Sequence, residues 1–404
     1  MKYIILGAGP AGLTFANKLK QAGEDSFIVL EKENSAGGLC RSVEVDGAPF
    51  DIGGGHFLDV KRANVNRFLF DFMPEDEWNI FDRNSKIQVN NIFINHPIEA
   101  NIWQMKVDDQ IEYLKSIAIA GCNLGKEMPR QFVDWIFWKL GDRIANDYML
   151  PYNQKVFSKE LDLLGTYWLE KLPNVSFEDT IRSCLEKKAF GTQPGHAKFY
   201  YPKTFGYGEL WLRMASKIDN HIEYNKEITK LDANNMVVYT KDGGRYKGDI
   251  IVTTIPWLEF DEIVGLSNSL FKQIKQLKYS SIETVYYAEN MDTDAHWIYY
   301  PNLDLAYHRI LVRHNFCPNS KGYWTETNLE RVSSVKNNDC FSYINKYAYP
   351  LNTVDKPEII NNVLEWGKEH NIYGLGRWGE HQHYNSDVTV ELSLQLAEKF
   401  LNID

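Results

Sequence analysis

A glycine-rich turn near the N-terminus constrains the fold of this chain more than any other feature. The apolar run Ile4-Ile5-Leu6 is followed at once by Gly7-Ala8-Gly9-Pro10-Ala11-Gly12. The next apolar residues fall on one face of a helix, at Leu13, Phe15, Ala16 and Leu19. In a strand–turn–helix unit of this kind the first glycine makes the tight turn, the second admits a pyrophosphate and the third lets the helix pack on the strand. We therefore predict a dinucleotide whose diphosphate lies at the helix N-terminus, in contact with Gly7, Gly9, Pro10, Ala11 and Gly12.

An acidic residue stands where a ribose ligand is expected. The second apolar run, Phe27-Ile28-Val29-Leu30, ends in Glu31, 19 residues after Gly12. About 20 residues separate the last glycine from the ribose-binding acid in dinucleotide-binding folds. A glycine turn with only a structural role would leave this carboxylate unexplained. Glu31 and the adjacent Lys32 are therefore predicted cofactor contacts.

The segment that follows indicates a flavin. Residues 31–42 contain Gly37-Gly38-Leu39 and Arg41. They resemble the second glycine motif of the glutathione-reductase-like flavoproteins, which implies that they lie along the diphosphate of FAD. Farther on, Gly53-Gly54-Gly55-His56 offers backbone without side chains, which suits the close approach of a flat ring. We interpret that ring as isoalloxazine, and the predicted FAD contacts here are Gly37, Gly38, Leu39, Arg41, Gly54, Gly55 and His56.

Charge and composition exclude several classes of partner. The 54 Asp and Glu outnumber the 44 Lys and Arg, and the net charge of −10 disfavours nucleic acid and anionic lipid. Five cysteines without C-x-x-C spacing favour neither a disulfide framework nor a zinc site, so we expect no metal and a reducing, cytoplasmic location. No apolar run reaches the ~18 residues needed to cross a bilayer, so we expect no membrane insertion.

The pattern along the chain predicts an α/β protein built on a discontinuous FAD-binding Rossmann-like domain of the glutathione-reductase type. This domain comprises residues 1–75, 198–260 and 365–404. Helical periodicity predicts a helical insertion domain over residues 104–197. Strand-like segments predict an antiparallel β-sheet substrate domain from residues 76–103 and 261–364.

Four segments resemble the UDP-galactopyranose mutases, and the eukaryotic type more than the bacterial one. Gly54-Gly55-His56-Phe57 is similar to that family's glycine-histidine loop. Pro151-Tyr152-Asn153-Gln154-Lys155-Val156-Phe157 resembles its Pro-Tyr-Asn-x-Lys-Val-Trp segment. Trp297-Ile298-Tyr299-Tyr300-Pro301, with Tyr307-His308-Arg309, resembles its Trp-x-Tyr-x-Pro strand and the downstream Phe-Tyr-Arg. Gly376-Arg377 matches its C-terminal Gly-Arg.

The resemblance implies roles for individual residues. His56 and Arg309 are the expected catalytic residues, since the family's histidine lies against the flavin and its arginine, with Tyr299, holds the diphosphate of the substrate. Further FAD contacts are expected at Ile228, Gly376 and Arg377, and further substrate contacts at Tyr152, Asn153 and Phe157. The residues by themselves leave an alternative open: a histidine that caps a loop, an arginine in a surface salt bridge and tyrosines in the core.

Departures from the family pattern fall in the substrate site. Asn95-His96-Pro97-Ile98-Glu99 stands where the eukaryotic mutases have Pro-Tyr-Pro-Phe-Gln near the nucleobase. Lys171 replaces a diphosphate-binding arginine, which keeps the charge but loses the bidentate fork. His383, followed by Tyr384, replaces one substrate tyrosine, and Phe316 replaces another. This predicts the same cofactor chemistry on a different substrate, contacted by His96, Glu99, Lys171, His383 and Tyr384.

The resemblance implies a flavin-dependent mutase that interconverts the pyranose and furanose forms of UDP-galactose or a related nucleotide sugar, for cell-surface polysaccharide synthesis. In that family reduced FAD acts through an N5–sugar adduct, without net electron transfer, and NAD(P)H is a candidate reductant. Two alternatives stay open: an oxidase or desaturase of the amine-oxidase or protoporphyrinogen-oxidase type, and a non-catalytic flavoprotein that binds a nucleotide sugar. The sequence also leaves open whether the chain forms a homo-oligomer.

Overall fold

The computed structural model describes residues 1–169, 172–192, 195–332 and 340–402. The strands are β1 (Tyr3–Leu6), β2 (Phe27–Leu30), β3 (Ser42–Val45), β4 (Ala48–Asp51), β5 (Leu58–Asp59), β6 (Trp78–Asp82), β7 (Ser85–Val89), β8 (Ile92–Asn95), β9 (Lys198–Pro202), β10 (Ile222–Glu223), β11 (Ile228–Asp232), β12 (Val237–Thr240), β13 (Arg245–Lys247), β14 (Ile250–Thr253), β15 (Glu262–Val264), β16 (Tyr279–Tyr287), β17 (Trp297–Tyr299), β18 (Arg309–Leu311), β19 (Tyr323–Asn328), β20 (Ser342–Pro350) and β21 (Ile372–Gly374). The α-helices are α1 (Pro10–Gln21), α2 (Ala63–Phe70), α3 (Val107–Ala118), α4 (Phe132–Ile144), α5 (Leu150–Phe157), α6 (Phe177–Glu186), α7 (Gly208–Ser216), α8 (Asn268–Ile274), α9 (Lys356–Glu369), α10 (Gly376–Gly379) and α11 (Ser386–Leu401).

A five-stranded parallel sheet forms the centre of the cofactor domain. Its order is β10-β2-β1-β14-β21. β1 is buried at every position, as expected for a parallel strand that is covered on both faces. Ile5 packs with apolar residues of α1 and α11 on one face, and Ile4 packs with residues of α9 on the other. The carboxyl ends of β1 and β2 therefore bring the glycine turn and Glu31 to one edge of the sheet.

A larger sheet stands beside this domain. Its order is β20-β16-β19-β18-β17-β7-β8, and its pairs are antiparallel except for the parallel pair of β17 and β7. The region of α3 to α6 has its own core, which includes Ile136 and Ile144 and reaches this sheet at Ile87 and Ile94. These features confirm the predicted α/β class with its helical insertion and its mainly antiparallel sheet. No helix of the described part of the chain has both the length and the apolar character that crossing a membrane requires.

Three segments join other parts of the structure than the sequence analysis expected. Trp78–Asp82 pairs with Lys198–Pro202 in a three-stranded sheet rather than with the substrate sheet. Glu262–Val264 pairs with β11 in a four-stranded sheet of order β13-β12-β11-β15. Helix α9 packs on one face of the parallel sheet through Ile359 and Val363. Alternating apolar residues predict a strand, but they do not say which sheet it joins, because pairing depends on distant segments.

Candidate cofactor and substrate site

The turn between β1 and α1 has a backbone that requires glycine. Gly7 has a φ of 101°, in the region that L side chains rarely adopt. A Cβ on Gly12 would lie 2.0 Å from the carbonyl oxygen of Gly7, so the third glycine allows α1 to pack against the turn. α1 begins at Pro10, and its first turn carries no acidic side chain. Its first N–H groups are therefore suited to an anion.

Glu31 is fixed at the end of β2. Its Oε2 accepts a hydrogen bond from the backbone N–H of Ala8 at 2.7 Å, and its Oε1 accepts one from Glu33 at 3.0 Å. The side chain is buried, and this burial raises its pKa. Each carboxylate oxygen keeps a second lone pair, so Glu31 can accept from the two hydroxyls of a ribose.

The second glycine segment lies directly against the first. A Cβ on Gly38 would lie 3.2 Å from the Cα of Gly9, so the two loops approach with little room for a side chain at this point. Arg41 donates from Nε to the carbonyl of Gly38 at 3.1 Å and from Nη2 to the hydroxyl of Tyr343 at 2.8 Å. These contacts hold a positive charge beside the loop pair.

The two loops line one cavity, called here the cofactor cavity. Twelve of the predicted FAD contacts line it: Gly7, Gly9, Pro10, Ala11, Glu31, Lys32, Gly38, Leu39, Arg41, His56, Ile228 and Arg377. Gly376 packs behind the cavity wall, where a Cβ would lie 2.7 Å from the Cβ of Ala11. A glycine cradle, a buried carboxylate and a fixed guanidinium together fit the diphosphate and ribose of FAD.

The loop from Gly53 to His56 separates the cofactor cavity from a second cavity. A Cβ on Gly53 would lie 1.8 Å from the carbonyl oxygen of Leu39, and one on Gly54 would lie 2.2 Å from Oε1 of Glu326. Nδ1 of His56 lies 3.1 Å from the carbonyl oxygen of Gly54. Because a carbonyl only accepts, Nδ1 carries the proton and Nε2 keeps a lone pair. Burial, together with the positive charge of Arg377, lowers the pKa of His56 to about 4, so the ring is neutral at pH 7.

The second cavity shares part of its wall with the first. Leu39, His56, Arg377 and Ser386 line both. The other residues of the second cavity include Gly55, Phe57, Arg83, His196, Trp297, Tyr299, Arg309, Tyr349, His383 and Asn385. A ligand in the second cavity would therefore lie directly beyond the residues that bound the cofactor cavity.

Arg309 is held by a buried carboxylate. Its Nε donates to Oε2 of Glu326 at 2.8 Å, and its Nη2 lies 2.5 Å from the same oxygen. Burial raises the pKa of Glu326, but the charges and hydrogen bonds of Arg309 and His308 outweigh it and hold this pKa at about 2. The backbone N–H of Gly55 also donates to Oε1 of Glu326, at 3.4 Å. Glu326 thus bonds both to Arg309 and to the backbone of the glycine-histidine loop.

A second arginine lines this cavity. Nη2 of Arg83 donates to the hydroxyl of Tyr299 at 3.2 Å, and the guanidinium carbon lies 4.9 Å from the ring centre of Trp297. Nη2 also lies 3.3 Å from Nδ1 of His96. Because arginine only donates, His96 accepts through Nδ1 and its proton is on Nε2. Burial, followed by the charge of Arg83, lowers the pKa of His96 well below its usual value.

Some of the predicted substrate residues line a cavity and others do not. Tyr299, Arg309 and His383 line the second cavity, while Tyr384 lines the cofactor cavity. His96 and Tyr152 are one layer back, with ring centres 5.1 and 5.4 Å from that of Tyr299. The remaining predicted substrate residues are Asn153, Phe157, Glu99 and Lys171.

Three of these four residues lie outside both cavities, and the fourth is not among the described residues. Nδ2 of Asn153 donates to the carbonyl of Met149 at 2.7 Å, which is a local helix contact. Phe157 packs on the core of the helical region, and Glu99 is partly buried, which raises the pKa of its carboxyl. None of the three lines either cavity. Lys171 lies outside the described residues.

Among the residues of the site that escaped the sequence analysis are Arg83, His196, Glu326 and Tyr349. Arg83 lies in a polar stretch, Asp82-Arg83-Asn84, that reads as a turn. Glu326 lies within β19, where the alternation Thr325-Glu326-Thr327 reads as a solvated strand face, although Glu326 is 1% exposed. No local spacing marks these residues, because their partners lie far away in the chain.

Comparison with known sequences finds matches to the N-terminal part. Residues 5–72 match the family described as NAD(P)-binding Rossmann-like domain. The chain is 32% identical over 74 residues to the all-trans-retinol 13,14-reductase of Rattus norvegicus, and this covers 18% of the chain and 12% of that protein. It is 47% identical over 53 residues to an uncharacterized protein in the nifH2 3′ region of Methanothermococcus thermolithotrophicus, covering 13% and 50%. The matches thus span half or less of these curated relatives.

Comparison with solved structures covers the whole chain. The crystal structure of reduced UDP-galactopyranose mutase superposes with a TM-score of 0.89 at 20% identity, covering 100% of this chain and 96% of that one. A fatty acid isomerase from P. acnes gives 0.66 at 14% identity, with 99% and 98% covered. Putrescine oxidase bound to putrescine gives 0.62 at 14% identity, with 99% of both chains covered. The chain therefore has a flavoenzyme fold, and the predicted likeness to the mutases is confirmed at the level of fold.

Proposed function

We propose that this chain is an FAD-dependent mutase that interconverts the pyranose and furanose forms of a nucleotide sugar, UDP-galactose or a relative, for cell-surface polysaccharide synthesis. The observation that carries the proposal is the arrangement of cations around the second cavity. Arg83, Arg309 and Arg377 line it, and His56 lines it from the cofactor side. A cationic pocket next to the predicted flavin suits a substrate whose leaving group is a diphosphate.

The cofactor cavity would hold FAD in a defined direction. Its diphosphate would lie between the turn at Gly9 and the loop at Gly38, with Arg41 alongside, and its ribose would meet Glu31. Reduced FAD would supply a nucleophilic ring nitrogen and recover it unchanged, which accounts for a reaction without net electron transfer. His56 would face the ring as a neutral imidazole with a free Nε2.

The second cavity would hold the nucleoside diphosphate while the sugar changes its ring. Arg309 offers a guanidinium whose orientation Glu326 fixes, and each charge-assisted hydrogen bond to phosphate contributes about 1.5–3 kcal/mol. Arg83 supports the hydroxyl of Tyr299 and adds a second positive charge. Such a clamp retains the leaving group so that it can be returned to the rearranged sugar, which is what an isomerase requires.

The same cations argue against an amine oxidase. The chain shares the fold of putrescine oxidase, but an amine substrate is itself a cation. Three guanidiniums around one cavity, with one of them neutralised by Glu326, would repel it. A fold shared between enzymes does not transfer a substrate, and the side chains of the cavity decide.

The test is a product assay with purified holoprotein. Oxidised protein and protein reduced by dithionite or NAD(P)H are incubated with a panel of UDP-, GDP- and dTDP-sugars, and new furanose peaks are sought by chromatography. We expect furanose product with the reduced protein alone, and its loss in Arg309→Lys but not in the exposed control Arg245→Lys. Peroxide formation without isomer would instead identify an oxidase. Nucleotide-sugar binding without either product would identify a binding protein.

A further inference from the structure

Three side chains from separate parts of the chain meet beside the second cavity. Asp59 ends β5, His196 precedes β9, and Asp387 lies in the first turn of α11. One ligand atom from each, a carboxylate oxygen or a ring nitrogen, lies within 4.8 Å of the other two. Of the three, His196 also lines the second cavity. The proposed mutase reaction uses none of them.

Within the described part of the chain, two atoms of this cluster are buried without a hydrogen-bond partner. Asp387 is 1% exposed, and its Oδ1 has no hydrogen bond. Nε2 of His196 is likewise buried and unpartnered. Leaving a buried polar atom unsatisfied costs about 1–3 kcal/mol, so two in one cluster indicate a ligand that satisfies both.

The protonation of His196 limits what that ligand can be. Its ring donates a hydrogen bond to the backbone of Phe57. Because Nε2 has no partner, the donor is Nδ1, and Nε2 presents a lone pair. The free atom of Asp387 is also a lone-pair donor, so a hydrogen-bond acceptor cannot satisfy the cluster. Histidines that bind metals through Nε2 commonly donate Nδ1–H to a backbone carbonyl in this way.

The net charge around the cluster favours a cation. Nε of Arg62 lies 2.8 Å from Oδ2 of Asp387, and its Nη1 pairs with Glu391. Among the described residues, Asp59 accepts only from backbone N–H groups, those of Lys61 at 2.9 Å and His196 at 3.2 Å. Three carboxylates against the guanidinium of Arg62 leave a net charge of −2. The positive charge of Arg83 also acts on His196 and brings this to −1, because the partners of its guanidinium, Ser85, Gly195 and Tyr299, are uncharged.

We propose that Asp59, His196 and Asp387 bind a divalent first-row transition metal ion, such as Mn²⁺ or Zn²⁺. One imidazole and two carboxylates favour these ions over Mg²⁺ and Ca²⁺, which prefer oxygen ligands. Ligand atoms lie about 2.1 Å from such an ion, so side-chain movements of about 1 Å or less would close the site. Its open positions would face the second cavity, where His196 forms part of the wall. The sequence analysis expected no metal because the cysteines lack metal-binding spacing; these three ligands are far apart in the chain and form no motif.

The test is metal binding by the folded holoprotein, freed of any polyhistidine tag and of metal. Mn²⁺ and Zn²⁺ are titrated by calorimetry, and Co²⁺ is followed by its visible absorption. We expect one ion per chain, and at least tenfold weaker binding in Asp59→Asn and in His196→Gln, since even outer partners of a metal ligand contribute tenfold or more. Asp82→Asn is the control, because that carboxylate is 80% exposed and pairs only with Lys198.

Two results would overturn the proposal. One is the absence of Mn²⁺, Zn²⁺ and Co²⁺ binding by the wild-type protein. The other is binding that Asp59→Asn and His196→Gln leave unchanged, which would place the ion elsewhere. FAD content and thermal unfolding of each variant verify that it is folded. If Asp59→Asn does not fold, His196→Gln still tests the site. The outcome is independent of whether the chain is a mutase.

Discussion

Replacing Glu326 by glutamine should remove the charge that holds Arg309, at a cost that follows from the structure. The carboxylate is 1% exposed, and its pKa is held at about 2 against an ordinary value of 4.5. The two values differ by about 2.5, which at ~1.36 kcal/mol per pKa unit corresponds to roughly 3 kcal/mol of stability at pH 7. This agrees with the ~3–5 kcal/mol lost when one member of a buried ion pair is removed.

The sign of the pH dependence follows from the same two values. Because folding lowers the pKa of Glu326, the stabilisation is complete above the unfolded value of 4.5 and is lost as the pH falls toward 2. Wild type and Glu326→Gln should therefore differ by a constant amount between pH 6 and pH 8. Their difference should begin to shrink below about pH 4.5.

Urea unfolding at a fixed, saturating FAD concentration measures these differences, because bound cofactor adds to the apparent stability. A double-mutant cycle with Arg309→Met separates the pair from its surroundings. We expect the two losses to be far from additive, with a coupling of about 2 kcal/mol or more. Losses that add to within ~0.5 kcal/mol would show that the two charges do not depend on each other, and the argument for Arg309 would fail.

Three further predictions concern the cofactor loop, the second arginine and the histidine between the two cavities. Gly12→Ala should prevent stable folding because its Cβ would lie 2.0 Å from a backbone oxygen. Gly9→Ala, whose Cβ would meet no atom nearer than 3.9 Å, should fold but retain less FAD. Soluble yield and the flavin-to-protein absorbance ratio distinguish the two variants. Arg83→Lys should raise the KM for the proposed nucleotide sugar about tenfold while FAD content is unchanged, since one lysine ammonium cannot replace the three guanidinium nitrogens that bond Ser85, Gly195 and Tyr299; an unchanged KM would exclude Arg83 from the substrate site. His56 has a pKa lowered to about 4, so between pH 6.5 and 4 the unfolded state binds more protons and this residue makes stability fall with acidity. As the pH falls through that range, wild type should lose stability relative to His56→Gln, and parallel curves would contradict a buried neutral His56.

The parts of this site that could be predicted are those whose chemistry is local in the sequence. Gly7, Gly9 and Gly12 are spaced by the geometry of one turn and one helix, so their spacing alone indicated a dinucleotide. Glu31 was found in the same way, because a βαβ unit fixes its distance from the last glycine. His56 was marked by its neighbouring glycines.

The parts that could not be predicted depend on contacts between distant segments. Arg83 reaches Tyr299 across 216 positions of the chain, and its surroundings in the sequence are those of an ordinary turn. Asn153 lies in a motif that suggested substrate binding, yet its amide is used within its own helical region. Neither outcome leaves a periodic signal in the sequence, because each depends on how separate sheets and helices pack together.

The wall that His56 and Arg377 share between the two cavities has a thermodynamic consequence. If a substrate prefers the protein with reduced flavin, linkage requires that the same substrate make the flavin easier to reduce, by the same factor. A tenfold preference corresponds to a rise of about 30 mV in the midpoint potential of a two-electron couple. Electrons from a cellular donor would then collect on those molecules that already hold a substrate, and protein without substrate would be spared reoxidation by air.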